Sequence, residues 1–141
     1  MSTLYTTKAT ALAGRNGKVS TDDGLLSLEL SYPKEMGGTG AATNPEQLFA
    51  AGYSACFSNA ILHVAREAKV ALKSAPVTAE VGIGPNANGG FALTVNLAAT
   101  LELPDAQAVE LVKTAHQVCP YSNATRGNIA VGVIANGVKI A

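Results

Sequence analysis

The fold of this 141-residue chain is decided by residues 44–64, which read NPEQLFAAGYSACFSNAILHV. Asn44 is a residue type that caps helices, Pro45 suits the first helical position and Glu46 complements the helix dipole, so a helix is predicted to begin here. From residue 48 to residue 64 no side chain is charged, and apolar side chains fall on every side of the predicted helix. A helix that is apolar all round is buried all round. We therefore predict a central helix that is covered on all its faces.

The segment before this helix has the turn signals of a strand-rich region. Asn16-Gly17 and residues 21–24 are predicted turns, and residues 26–32 alternate between apolar and polar side chains. After the helix, alternation predicts strands over 77–83 and 91–103, and the residues between them form a turn. The first half of the chain therefore reads as strands, one helix and a hairpin.

The last third of the chain adds helices and a closing strand. A second helix is predicted to start at Pro104-Asp105 and to end before Pro120, after which a short helical turn runs to Arg126 with Cys119 as its N-cap. A strand over 129–133 follows, and Asn136-Gly137 turns the chain into a short final strand. The order of elements is that of an α+β fold.

We predict a single domain over residues 1–141, with antiparallel-rich sheets wrapped around the central buried helix. A chain this short can hardly cover a helix on all sides by itself, so we expect an intertwined homodimer. Hydrophobic residues make up 48% of the chain and charged residues only 14%. So few charged residues for the surface of a monomer also indicate an oligomer.

The composition also narrows the function classes. Ten basic residues balance ten acidic ones, so the chain has no net charge with which to attract nucleic acid or an anionic membrane. The N-terminal residues lack the apolar run of a signal peptide, and no long apolar stretch is free of polar residues. We predict no membrane span, no nucleic-acid partner and a cytoplasmic location.

Neither a cofactor nor a metal site is predicted. The Gly37–Gly40 loop lacks the lysine and spacing of a phosphate-binding loop and is interpreted as a hinge or lid. His116 has no second ligand at metal spacing. His63 lies about 10 Å along the helix from Cys56, which is too far for a Cys–His base pair. Tyr121 is a candidate to line a pocket, but packing in the core is the favoured expectation.

The chain has two cysteines, Cys56 and Cys119. In a reducing cytosol a structural disulfide is disfavoured and a cysteine pair is more often catalytic, although composition alone favours two buried, inert thiols. Cys56 lies in the charge-free helix, where a reactive thiolate needs a nearby cation. Arg15, at the tip of the first hairpin, is one of only three arginines. Cys119 precedes Pro120, where the free N–H groups of a helix start stabilise a thiolate.

Three segments of the chain, in the right order, resemble the organic hydroperoxide resistance proteins. Residues 42–57 (ATNPEQLFAAGYSACF) are similar to the nucleophile helix of that family, and residues 118–128 (VCPYSNATRGN) to its resolving-cysteine motif. The turn at residues 13–17 (AGRNG) matches as well. The two cysteine motifs favour this branch over its sister, the osmotically induced proteins.

The resemblance implies a homodimer with active sites at the subunit interface, and an enzyme that reduces organic and fatty-acid hydroperoxides to alcohols during oxidative stress. Cys56 would attack the peroxide and become a sulfenic acid, and Cys119 would condense with it to a disulfide. A lipoyl-type dithiol or a lipoylated protein would then reopen the disulfide. By the same match Arg15 and Glu46 are auxiliary catalytic residues.

Helix geometry adds a hypothesis about Glu46. It lies ten residues before Cys56, a rise of about 15 Å on an unbroken helix. We therefore expect Arg15 and Glu46 to reach Cys56 from the partner chain, unless the helix is broken at Gly52. A general thiol–disulfide exchanger would need a Cys-x-x-Cys pair, which is absent. Two other functions stay open: a non-catalytic thiol redox sensor and a hydrophobic-ligand-binding protein.

Overall fold

The computed structural model describes every residue from Met1 to Ala141 and divides into two units, Met1–Leu48 and Phe49–Ala141. Strands β1, β2 and β3 form one sheet in that order, and β4, β5, β6 and β7 form a second. The elements, in chain order, are β1 (Ala9–Leu12), β2 (Lys18–Thr21), β3 (Ser27–Glu29), α1 (Pro45–Glu67), β4 (Val77–Pro85), β5 (Phe91–Ala99), α2 (Asp105–Val118), α3 (Pro120–Thr125), β6 (Val131–Ala135) and β7 (Val138–Lys139).

The first unit is built on the antiparallel three-stranded sheet. A 3₁₀ turn at Gly14–Asn16 joins β1 to β2, and the turn after Thr21 joins β2 to β3, so both predicted turns are confirmed. The third strand is shorter than predicted, since it ends at Glu29 and Leu30 forms a parallel bridge with Thr43. The N–H of Ser31 then donates to the carbonyl of Thr43 at 2.9 Å, which ties this strand to the segment just before α1.

Helix α1 begins where the sequence predicts. The side-chain oxygen of Asn44 accepts a hydrogen bond from the N–H of Gln47 at 2.9 Å, as an N-cap should. The helix continues without a break past Gly52. Its buried residues form one face: Tyr53, Phe57, Ala60, Ile61, Val64 and Ala65.

The opposite face of α1 is exposed in the single chain. It consists of Ala51, Ala55, Asn59 and His63, which are spaced four residues apart. Burial of this helix on all its faces, which the sequence predicts for an intertwined dimer, stays a prediction. By length and a mean hydropathy of 1.3 the helix could also cross a membrane, but its buried face packs into the protein core.

The second sheet is mixed. Strands β4 and β5 pair antiparallel from Val77↔Ala99 to Pro85↔Phe91, β6 joins β5 in parallel, and β7 returns antiparallel after the turn at Asn136-Gly137. Strand β5 stops at Ala99 and not at residue 103. The side chain of Asn136 instead pairs with the backbone of Leu101. Its oxygen accepts a hydrogen bond from the Leu101 N–H at 2.7 Å, and its nitrogen donates one to the Leu101 carbonyl at 3.0 Å. The strand predicted over 129–133 lies at 131–135.

Helices α2 and α3 form the parallel crossover between β5 and β6. Cys119 is the single residue between them and serves as C-cap of α2 and N-cap of α3, with extended backbone. The core of the second unit joins α1 and α2 to β5 and β6 and includes Tyr53, Phe57, Ile61, Val95, Leu97, Val112, Cys119 and Val133. The predicted α+β class, with antiparallel and mixed sheets and a central helix, is confirmed.

Candidate active site

The structure brings the two cysteines together across 63 residues of sequence. The Sγ atoms of Cys56 and Cys119 lie 3.6 Å apart, and the two thiols form no disulfide. Cys56 is half-buried on α1, whereas Cys119 is fully buried at the joint between α2 and α3. Of the two thiols, Cys56 is thus the one that a solvent-borne reagent can reach.

The surroundings of Cys56 favour the neutral thiol over the thiolate. Burial raises the pKa of Cys56 above its ordinary value, and the neighbouring Cys119 raises it further. The backbone N–H of Tyr121, in the first turn of α3, acts in the opposite direction and lowers the pKa of Cys56. The start of α3 therefore acts on Cys56, which the sequence pattern did not predict.

Arg15 and Glu46 form a two-pronged ion pair within the first unit. The Nη1 and Nη2 atoms of Arg15 donate to the two carboxylate oxygens of Glu46 at 2.7 and 2.9 Å. The side chains are only 21% and 14% exposed. The hydrogen bond to Glu46 raises the pKa of Arg15, and the guanidinium also lies 5.9 Å from the ring centroid of Tyr32. Glu46 thus fixes both the charge and the orientation of Arg15.

A cavity of about 800 Å³ opens on the second unit. Pro120 and Tyr121, the two residues that follow Cys119, form part of its wall, and neither sulfur lines it. Tyr121 is 39% exposed, so the expectation that its ring packs in the core is wrong. The larger apolar side chains of the wall are Phe49, Phe91, Leu93 and Ile129.

A buried cluster of hydroxyl groups beside the cysteines was missed by the sequence reasoning. The oxygen of the Ser122 side chain lies 2.8 Å from the Tyr53 hydroxyl and 2.8 Å from Nδ1 of His116. Burial lowers the pKa of His116, and the charge of Arg126 adds to this effect. The only signal in the sequence is spacing, since His116, Cys119 and Ser122 follow one another at intervals of three.

Known proteins match the chain along almost its whole length. The family model of OsmC-like proteins matches residues 38–133. An organic hydroperoxide resistance protein of Xanthomonas axonopodis pv. citri is 50% identical over 131 residues, which cover 91% of this chain and 92% of that protein. The organic hydroperoxide resistance protein OhrB of Bacillus subtilis has a crystal structure that is 42% identical, with a TM-score of 0.85 over 94% of this chain and 99% of that one.

A Vibrio cholerae protein is more similar still. Its crystal structure, described as that of an organic hydroperoxide resistance protein with captopril bound in one of the active sites, is 74% identical and has a TM-score of 0.98. The match covers 99% of this chain and 97% of that one. The chain therefore belongs to the OsmC-like family, in its group of organic hydroperoxide resistance proteins.

Proposed function

We propose that this chain is a thiol peroxidase that reduces organic hydroperoxides, both alkyl and fatty-acid, to alcohols. The observation that carries the proposal is the 3.6 Å approach of an accessible thiol, Cys56, to a buried one, Cys119. A nucleophile beside a resolving thiol is the arrangement in which a sulfenic acid is trapped quickly as a disulfide. The relatives named for organic hydroperoxide resistance support the class of peroxide.

The proposed reaction has three steps. The Cys56 thiolate attacks one peroxide oxygen, the O–O bond breaks, and the alkoxide leaves as an alcohol after taking a proton, so that Cys56 becomes a sulfenic acid. The Cys119 sulfur then displaces the sulfenic oxygen as water and forms the disulfide. A lipoyl-type dithiol, free or on a lipoylated protein, reduces this disulfide by thiol–disulfide exchange and closes to its own cyclic disulfide.

The first step needs a cation, because burial and the neighbouring thiol raise the pKa of Cys56. We assign this role to Arg15, held by Glu46 in a two-pronged ion pair. Along the unbroken helix α1 the rise from residue 46 to residue 56 is about 15 Å. The Arg15–Glu46 pair that serves each Cys56 is therefore assigned to the partner chain.

The partner is a second copy of this chain. The exposed stripe of α1 consists of Ala51, Ala55, Asn59 and His63, none of which carries a fixed charge. A face of this kind is suited to burial in an oligomer. A homodimer that closes over α1 would cover this stripe and give each active site its arginine. We propose a cytoplasmic location for this homodimer, because the reducing conditions there favour reduction of the disulfide after each turnover.

The cavity beside Tyr121 supports the substrate class. Its apolar wall suits an alkyl chain, and it begins at the two residues that follow Cys119. The Vibrio cholerae relative holds captopril, a compound with a thiol group, in an active site. Entry of a small thiol into that site is consistent with reduction by a dithiol.

First-turnover kinetics with an alkyl hydroperoxide test the proposal. The wild type should consume peroxide in one fast turnover and continue when dihydrolipoamide is added. Cys56→Ser should consume none, whereas Cys119→Ser should complete one turnover and stop as a sulfenic acid. Full turnover by Cys56→Ser, or no consumption by the wild type, would refute a peroxidase that uses Cys56.

Mixed dimers test the sharing of residues between chains. In a dimer of one Cys56→Ser copy and one Glu46→Ala copy, purified by two different tags, a shared site leaves one wild-type site intact. A site built within one chain leaves both sites damaged. Activity no higher than that of the Glu46→Ala homodimer would therefore rule out the assignment of Arg15 and Glu46 to the partner.

A further inference from the structure

We propose that the hydrogen-bonded cluster of Tyr53, Ser122 and His116 positions Cys119 for its attack on oxidised Cys56, and that Tyr53 and Ser122 are positioning residues for the resolving step. We call these three residues the hydroxyl junction. The inference rests on the proposed function for its chemistry. It assigns a role to groups that neither touch the peroxide nor belong to the Arg15–Glu46 pair.

The two hydroxyl groups of the hydroxyl junction are fully enclosed, and His116 is half-buried. Tyr53 and Ser122 are both 0% exposed. The Ser122 oxygen lies 2.8 Å from the Tyr53 hydroxyl and 2.8 Å from Nδ1 of His116. A fourth group, the Thr125 hydroxyl, lies 3.2 Å from the Tyr53 oxygen, and no buried side-chain polar atom lacks a partner. Enclosed polar contacts of this kind are rigid, because each broken bond leaves an unpaired polar atom in the core.

The hydroxyl junction links the three helices that position the two cysteines. Tyr53 is on α1, three residues before Cys56, and therefore on nearly the same side of that helix. His116 is on α2, three residues before Cys119, and Ser122 is on α3, three residues after it. The chain between the last two helices is the single extended residue Cys119. The Ser122 hydroxyl therefore connects the joint between α2 and α3, which carries Cys119, to α1, which carries Cys56.

The protons of the hydroxyl junction can be placed in one consistent order. Burial and the charge of Arg126 lower the pKa of His116 and so favour the neutral ring, whose Nδ1 can accept from the Ser122 hydroxyl. The Ser122 oxygen can then accept from the Tyr53 hydroxyl. Arg126 also donates to the backbone carbonyl of His116, which holds the end of α2 in place. The order gives each of the three groups a definite partner.

The resolving step is sensitive to such positioning. The Cys119 sulfur must close from 3.6 Å to the bonding distance of about 2 Å, in line with the breaking S–O bond of the sulfenic acid. As that bond breaks, the hydroxyl leaves with the Cys119 proton as water. An error of about 1 Å in the placement of a reacting group costs up to about a hundredfold in rate. A less rigid hydroxyl junction should therefore slow disulfide formation without slowing sulfenic acid formation.

The test separates the two steps in single-turnover experiments with an alkyl hydroperoxide. The variants are Tyr53→Phe and Ser122→Ala. The matched control is Ser58→Ala, which also deletes a half-buried hydroxyl of α1, one that donates to the Ala75 carbonyl at 2.6 Å. Peroxide loss gives the rate of sulfenic acid formation. Competition with dimedone gives the rate of disulfide formation, and mass spectrometry gives the yield of sulfinic acid.

Both junction variants should form the sulfenic acid within about twofold of the wild-type rate and the disulfide at least about tenfold more slowly. They should also accumulate more dimedone adduct and more sulfinic acid. Ser58→Ala should give the same proportions of disulfide, dimedone adduct and sulfinic acid as the wild type. Equal slowing of both steps in the junction variants, or wild-type product proportions in both of them, would overturn the inference and leave the hydroxyl junction a purely structural contact.

Oxidation by diamide keeps this inference separable from the proposed function. Diamide adds to the Cys56 thiolate, and Cys119 then displaces the reduced reagent to give the same disulfide without any peroxide. Junction variants should again be slower by at least about tenfold. If the wild type fails to consume peroxide but the diamide reaction shows this slowing, the peroxidase proposal fails and the positioning role stands. Wild-type rates with diamide in both variants would refute the positioning role alone.

Discussion

Gly52 on α1 offers a quantitative test of how this helix meets α3. A Cβ atom on Gly52 would lie 2.8 Å from the Tyr121 hydroxyl oxygen and 3.2 to 3.3 Å from two ring carbons. The glycine therefore leaves room for the tyrosine ring, which also packs edge-on against Phe49. Gly52→Ala forces the ring to move.

The size of the effect follows from two opposing terms. Replacing glycine by alanine inside a helix stabilises a protein by about 0.5–1 kcal/mol. Overpacking costs about 1–3 kcal/mol, and the lower half of this range, about 1–2 kcal/mol, applies here because Tyr121 is 39% exposed and its ring can swing outward. Gly52→Ala should therefore lower the free energy of unfolding by up to about 1.5 kcal/mol. In a Tyr121→Ala background, where the ring is absent, the same substitution should raise it by about 0.5–1 kcal/mol.

A double-mutant cycle measured by urea unfolding, at one protein concentration for all four proteins, gives the coupling. We expect a coupling of about 1–2 kcal/mol between the two positions. Ala106→Gly, at an exposed position on α2, should have the same effect in both backgrounds. If Gly52→Ala stabilises the protein equally with and without the Tyr121 ring, the two residues are not in contact and the reasoning is refuted.

Two further predictions concern Asn44 and His116. Asn44→Ala removes the acceptor for the Gln47 N–H at the start of α1 and should lower the free energy of unfolding by about 1 kcal/mol in urea; no change would mean that the cap is not formed. The pKa of His116 is lowered from its ordinary value of 6.5, so its contribution to stability should be complete above pH 6.5 and should be lost as the pH falls through the lowered folded pKa. Urea titrations over this range should give a smaller pH dependence for His116→Gln, and identical profiles would contradict the assignment.

Local signals predicted well where local chemistry decides the structure. Asn44 and Pro45 set the start of α1 through a hydrogen bond that spans three residues, so the sequence contains the whole cause. The Asn136-Gly137 turn and the break at Pro120 are likewise short-range effects. The proximity of Cys56 and Cys119 is different, since it was reached through resemblance to a known family and not from pattern.

The errors occur where distant parts of the chain decide. The end of β5 depends on Asn136, whose side chain binds the backbone of Leu101 from 35 residues away. No local pattern carries that information. Tyr53 and Ser122 went unnoticed for a similar reason, because a tyrosine on a buried face and a serine in a helix start are ordinary until their 2.8 Å contact is seen. An apolar pattern also does not say which molecule covers a helix, and one face of α1 is exposed in the single chain.

The closeness of the two sulfurs has a consequence for signalling. A molecular switch must take two shapes that another molecule can tell apart. From 3.6 Å, the two sulfurs need to approach by only about 1.5 Å to form a bond, a movement that side-chain rotation can supply. The oxidised chain would then offer its surroundings nearly the same surface as the reduced one. A peroxidase built in this way, as proposed above, would transmit no signal about its peroxide substrate, and its only lasting product would be the alcohol.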